Sequence, residues 1–266
     1  MLYEVGQDAL DSLTSAKNVA VFTYVRHYQY VLAFNTSVGP LRSSEIRRAL
    51  VEAVDPNTFI QDAFDGRAAV SSGPIWPQHW AFPADLSQGP SNPQAAAATL
   101  TGKNLRFTAL VRSDLERVGL VVKRQLEAVG VEMTVREASL SDIFEAMAKN
   151  EFDAAILEVI SGPSIFRPYQ MWHSRGLFNR GGLGSPAIDA AFDKVRYSTT
   201  DEEYRAAVRS LQETVVKDPP AIFLAWGERA RAVNRRFDVA AEPGRDILPT
   251  LRLWRPINDL QYVGRN

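Results

Sequence analysis

The residues best able to hold a small molecule lie in one short segment, Ser161-Gly162-Pro163-Ser164-Ile165-Phe166-Arg167-Pro168-Tyr169-Gln170-Met171-Trp172-His173. It follows a continuous apolar run, Ala154–Ile160, and ligands in α/β proteins gather on loops beyond the carboxyl ends of strands. Within it, Ser161, Gly162, Ser164 and Phe166 offer hydroxyls, open backbone and one ring. The planar fork of Arg167 suits a carboxylate or phosphate, or simply water on the surface. Tyr169 and Trp172 can stack on a ligand or pack into a core. His173 can donate a hydrogen bond or serve the structure; with only His27 and His79 besides it, no metal-binding spacing exists. Trp76, in a distant proline-rich stretch, is a candidate aromatic wall or a staple for its own loop.

Bond-making chemistry has little to draw on. Cysteine is absent, which removes disulfides, thiolate metal sites and cysteine nucleophiles. Neither a nucleophile elbow nor a dinucleotide or phosphate loop occurs. The glycine-rich Gly181-Gly182-Leu183-Gly184-Ser185-Pro186 opens a helix, and lacks the lysine a phosphate loop needs. A formal net charge of −1 gives no overall pull toward nucleic acid or anionic membrane. No apolar run reaches the ~18–20 residues that span a bilayer. The first residues, Met-Leu-Tyr-Glu-Val-Gly-Gln-Asp, have neither the basic nor the apolar region of an export signal.

The elements that must position the segment are legible by period. Composition is that of a globular protein, 45% hydrophobic and 23% charged. A short helix is predicted over 8–16, then two strands, Val19–Tyr24 and Tyr28–Phe34. Ile46, Ala49, Leu50 and Ala53 make a helical stripe, capped by Ser43 or Ser44. Pro56 opens the next helix and Gly66 closes it. Residues 66–103 read as irregular, ordered by Trp76, Trp80 and Phe82, with a short helix over Asn92–Leu100. From 104 to 160 the pattern is strand, helix, strand, helix, strand. The strands are marked by Leu105, Phe107 and Ala109, by Val131, Met133 and Val135, and by Ala154–Ile160. The helices carry Leu115, Val118, Val122, Leu126 and Val129, then Leu140, Ile143, Phe144 and Met147. That order implies a largely parallel sheet. Two more helices follow, on Ile188, Phe192 and Val195 and on Tyr204, Val208, Leu211 and Val215, before a strand over Ala221–Trp226. The series Arg229, Arg231, Arg235 and Arg236 is expected on the wet side of an edge strand.

In joint order, Phe34-Asn35, Arg47-Arg48-Ala49-Leu50 with Ala53 and Asp55, Gly66, Pro74 with Trp76-Pro77, Ala128-Val129-Gly130-Val131, Phe152-Asp153 and Asp218-Pro219-Pro220 resemble extracellular solute-binding proteins of family 5. These are the receptors of peptide and nickel ABC importers. The resemblance, over about residues 2–254, implies an α/β, periplasmic-binding-protein-like (type II) lobe with a mainly parallel wound sheet flanked by helices. It implies residues 1–30 as a remnant of lobe one, 31–235 as lobe two and 236–266 as the return into lobe one. Chain crossings fall near 33–36 and 225–235, which brings Tyr30 and Asn35 close to the site; Asn35 is more simply a turn-former. The bulk of lobe one and the export signal are expected to be missing from this chain.

The implied function is non-catalytic capture of a small solute, such as a peptide, by two-lobe closure. The implied partners are ABC permease subunits. No cofactor, nucleic acid or membrane insertion of this segment is expected, and the place is periplasmic or extracellular, with a lipoprotein anchor as an option. A ligand-sensing domain of a regulator and a hydrolase are the alternatives. Peptide-binding relatives hold the peptide's amino group with an acidic residue that Gly162 replaces here, and Val159 stands where a tryptophan is common. No carboxylate lies between Glu158 and Asp189 to take over that task.

Overall fold

The structure, a computed structural model, describes residues 1–2, 5–86, 91–180 and 182–257. The chain divides into two compact units, one formed by Met1–Arg26 with Gly227–Asn266 and the other by His27–Trp226. The sequence pattern had set the divisions at 30/31 and 235/236.

The larger unit is a three-layer α/β sandwich. Its strands come from β1 (Val19–Phe34), β2 (Ala68–Val70), β3 (Arg106–Val111), β4 (Glu132–Glu137), β5 (Ala154–Ile160) and β6 (Ala221–Asn234), in the order β2-β6-β1-β5-β3-β4. β3 runs parallel to β4 and to β5, whereas β1 runs antiparallel to β5 with Val31 opposite Leu157. The wound, parallel part is therefore β5-β3-β4, as the alternating strands and helices of 104–160 imply, and the sheet as a whole is mixed.

Side chains alternate between the two faces with period 2. Leu32, Phe34, Ala109, Val111 and Ile156 point to one core, which they share with α2 (Ser44–Ala53), α3 (Pro56–Phe64), α4 (Pro93–Leu100) and α5 (Glu116–Glu127). Val31, Ala33, Leu110, Ala155 and Leu157 point to the other, shared with α6 (Leu140–Lys149), α7 (Phe166–Trp172), α8 (Pro186–Tyr197) and α9 (Asp201–Lys217). Being covered on both faces explains why β5 reads as an unbroken apolar run.

Helix ends follow their caps. The side chains of Ser43, Asp55, Asn92, Ser139 and Ser185 each accept a bond from a backbone amide of the first turn. Thr200 and Glu203 form a reciprocal capping box on α9. Buried Arg47 donates to the carbonyl oxygens of Leu41, Arg42 and Pro219 and pairs with Asp218, which ties α2 to the turn before β6.

Three expectations change. The strands expected over 19–24 and 28–34 are one strand, β1, because Arg26 and His27 are polar but carry nothing that breaks a ladder. The stretch 66–103 is more regular than expected, holding β2 and a 3₁₀ turn over Ala84–Leu86 besides α4. Gln29 Nε2 pins it by donating to Ser71 Oγ (2.6 Å) and the Gly73 carbonyl (2.7 Å). Arg231 is not on a wet edge. It is buried, its guanidinium forks onto Asp246 (2.6 Å for both bonds) and covers the Tyr24 ring, and β6 lies inside the sheet order.

The smaller unit contains α1 (Gln7–Thr14), the first part of β1, the second part of β6 and a two-stranded ribbon, β7 (Phe237–Asp238) with β8 (Arg255–Pro256). Its core is small: Val5, Ala230 and Ala232, with Ala9, Leu10, Leu13, Val19 and Val21 around them.

Candidate functional site

At the carboxyl ends of β3 and β5 the larger unit opens into a groove of about 250 Å³. Strand β5 supplies its floor through Ile156–Ile160, and the first turns of α6 supply one wall through Leu140 and Phe144. One turn apart on α7, Arg167 and Met171 make the opposite wall. Phe178 closes one end, and Leu115 and Arg112 stand after β3. Leu140, Phe144, Ile160 and Phe178 keep 40, 41, 42 and 46% of their surface exposed, a cluster of apolar side chains turned to solvent.

The charges differ in how they are held. Arg112 forks onto Asp114 (Nε–Oδ1 2.7 Å, Nη2–Oδ2 2.5 Å). This bond raises its pKa above the ordinary arginine value, helped by the nearby Glu158 charge, and holds the Asp114 carboxyl below the usual carboxylate range. Arg167 is exposed at the rim and has no hydrogen-bond or ion-pair partner among the described residues. Phe178 is set by a braced loop. Gln170 accepts from the amides of Leu177 (2.8 Å, side chain) and Phe178 (2.9 Å, backbone), and Asn179 bonds the His173 carbonyl (3.0 Å) and the Leu183 amide (3.1 Å). Gly176 has no room for a side chain, since a Cβ there would sit 2.3 Å from the Gln170 carbonyl oxygen.

The segment 161–173 does not act as one surface, because α7 splits it. Arg167 faces the groove, whereas Ser164, Phe166 and Tyr169 line a second hollow of about 370 Å³ beside Phe192, Arg196 and Tyr204. The remaining candidates are closed to a ligand here. Trp172 is fully buried, edge-on to Phe223, as expected for a residue on the inward side of α7. His173 is 1% exposed. Its Nδ1 accepts from the Arg175 amide (2.9 Å), its ring stacks on Tyr169, and its Nε2 faces Asp193 at 3.5 Å, so it braces the α7–α8 corner. Ser161 is buried and donates to the Pro74 carbonyl (2.8 Å). Gly162 is packed against His27 and Trp76. Trp76 is buried with its ring 4.3 Å from that of His27, and thus staples its loop. Tyr30 is buried against Phe64 in the core on the other face of the sheet. Asn35 bonds Ser37, Asn150 and the Phe152 carbonyl, a turn-former that also joins β1 to the start of β5.

Sequence reasoning missed Arg112, Leu140, Phe144, Ile160 and Phe178. The signal was present for two of them: Leu140 and Phe144 extend the α6 stripe beyond what the core residues Ile143 and Met147 need. Among the described residues, no helix is long and apolar enough to cross a membrane, and the groove brings no acid, base and nucleophile together.

Comparison with known proteins bears on this geometry. The oligopeptide-binding protein AppA of Bacillus subtilis strain 168 is 21% identical over 275 residues, covering 92% of this chain and 50% of its own length. Among solved structures, NikZ from Campylobacter jejuni in complex with Ni(L-His) superposes with a TM-score of 0.75 at 17% identity, covering 94% of this chain and 56% of that one. Bacillus subtilis AppA in complex with a nonapeptide gives 0.73 at 18%, covering 96% and 56%. The chain thus spans about half the length of the curated relatives it matches. Residues 1–177 match the family described as bacterial extracellular solute-binding proteins, family 5 middle. Since that stretch is well over half of the 266 residues and the sheet superposes on receptors of the same kind, the chain belongs to the family 5 extracellular solute-binding proteins.

Proposed function

We propose that this chain supplies the second, ligand-holding lobe of an ABC importer receptor that captures a small solute of the peptide class. The observation that carries this reading is the groove at the carboxyl ends of β3 and β5: apolar walls left open to solvent, an uncommitted arginine at the rim and no reactive constellation. Residues 27–226 contain that groove, and residues 1–26 and 227–266 belong to the first lobe. The solute touches both lobes only when they close, so its binding energy shifts the open–closed equilibrium, and permease subunits read the closed form. The protein acts outside the cytoplasm, periplasmic or anchored as a lipoprotein.

Thermal shift and calorimetry test the reading, with a panel of dipeptides, longer peptides and a nickel–histidine chelate. The chain joined to a complete first lobe gains about 2.7 kcal/mol of stability at a solute concentration a hundredfold above Kd. The 266-residue chain alone binds the same solute far more weakly. Equal, tight binding by the chain alone, or turnover of any panel member, overturns the proposal.

A further inference from the structure

We infer that the solute is held by an anionic end, with its carboxylate on Arg167 and an apolar side group in the groove between α6 and α7. The inference rests on the capture reading above and names the chemistry of that same site. The groove's volume of about 250 Å³ exceeds the ~150 Å³ of an apolar cavity that takes a benzene ring, so it has room for one large apolar group. Phe144, Ile160 and Phe178 have contact surface left to give it.

Charge decides the polarity. Arg112 and Asp114 offset each other as a pair, and Glu158, the carboxylate on the groove floor, has an interaction of its own beside Arg112. Arg167 has no partner among the described residues, and a ligand covering it must supply an anion or leave a desolvated cation behind. Of the groove-lining residues that follow β5, Arg167, Met171 and Phe178, the one charge is the cation of Arg167. An ammonium end set against α7 would meet that arginine. A planar guanidinium and a carboxylate make paired, charge-assisted bonds.

Saturation-transfer and chemical-shift NMR on the 266-residue chain test this with three probes that differ in one group. N-acetyl-L-phenylalanine carries the carboxylate, N-acetyl-L-phenylalaninamide is neutral, and L-phenylalaninamide is cationic. The acid is expected to bind about tenfold or more tighter than the neutral amide, as a charge-assisted bond implies, and the cation is expected to bind least. In Arg167→Gln the acid falls to the level of the amide; Arg167 is exposed, and an unchanged melting curve verifies the fold. Phe144→Ser weakens every probe that binds. Equal affinity of acid and amide, or an acid preference that survives Arg167→Gln, overturns the anionic anchor while leaving the groove as the capture site. Absence of binding by all three overturns the anionic anchor, and indifference of a bound probe to Phe144→Ser overturns the groove as the capture site. Alanyl-phenylalanine and 3-phenylpropanoate separate a peptide carboxyl terminus from a free organic acid. Binding of either that is lost in Arg167→Gln supports the anchor, and binding of both that is kept overturns it.

Discussion

Arg47 shows how one buried cation can hold a joint. Burial pushes its pKa below the ordinary arginine value against the pull of Asp218, yet its donors reach the carbonyls of Leu41, Arg42 and Pro219 besides that carboxylate. Removing one side of such an arrangement strands the groups on the other. Arg47→Ala should therefore cost about 3–5 kcal/mol, and Asp218→Asn less, about 1–3 kcal/mol, because the carbonyl acceptors remain. Urea unfolding measures both, and equal losses would contradict the ranking. Arg231 plays the matching part in the smaller unit. Burial alone would raise the Asp246 carboxyl, but the Arg231 fork and the Leu248 amide outweigh it and hold it below the usual carboxylate range. A folded value below the unfolded one means that this pair stabilises above the ordinary carboxylate pKa of about 3.9 and is lost as pH falls from there toward the folded value. Protection of the Ala230 and Ala232 amides, measured relative to the intrinsic exchange rate at each pH, should fall over that acid window, and Asp246→Asn should remove this pH dependence.

Elements differed in how much of themselves the sequence disclosed. β5 and α5 were plain because their patterns report burial directly: both faces covered for one, a single stripe for the other. α7 was hidden in what read as a loop, since Pro168 and a length of seven residues, just under two turns, leave too short a stripe to read. That mattered for the site. A loop would have offered Arg167, Tyr169 and Trp172 together, whereas a helix sends them to the groove, to the neighbouring hollow and to the core. The candidate site was thus legible as a place and only partly as residues, because Arg112 and Phe178 join it through tertiary packing. The braced loop after α7 gives a test at this scale. Gly176→Ala must push a Cβ into the Gln170 carbonyl, and the strain of such overpacking is typically about 1–3 kcal/mol. The loop should yield before the core does, so Phe178 leaves the groove. Altered Phe178 ring resonances with a nearly unchanged melting temperature are the expected result. On α9, Thr200→Ala removes the half of the capping box in which the Thr200 hydroxyl accepts from the Glu203 amide, while the backbone amide of residue 200 still donates to the Glu203 carboxylate, and should lower stability by about 1 kcal/mol, read from the urea midpoint.

At the scale of the whole molecule, the two units have cores of very different size, and β1 and β6 each contribute to both. β1 makes the contrast within one strand. Its residues Tyr30–Phe34 are all buried, with Val31, Leu32, Ala33 and Phe34 at 0% exposure, whereas Val19–Tyr28 are only partly covered or exposed. Backbone bonds open according to the packing around them, so protection follows local stability rather than strand membership. Amide exchange along β1 should be slowest from 31 to 34, where opening requires unfolding of the large core, and faster by orders of magnitude toward residue 19, where partial opening suffices. In β6 burial is interrupted rather than graded: Ala221–Gly227 and Ala230–Val233 are buried, and Glu228 and Arg229 between them are partly covered, so protection is expected to dip at 228–229. On the capture reading proposed above, a closing receptor would need such a distribution, because a lobe that moves as a body must keep its groove intact while the chain entering and leaving it adjusts. Uniform protection along both strands would mean that each behaves as one rigid rod and would count against that reading of β1 and β6.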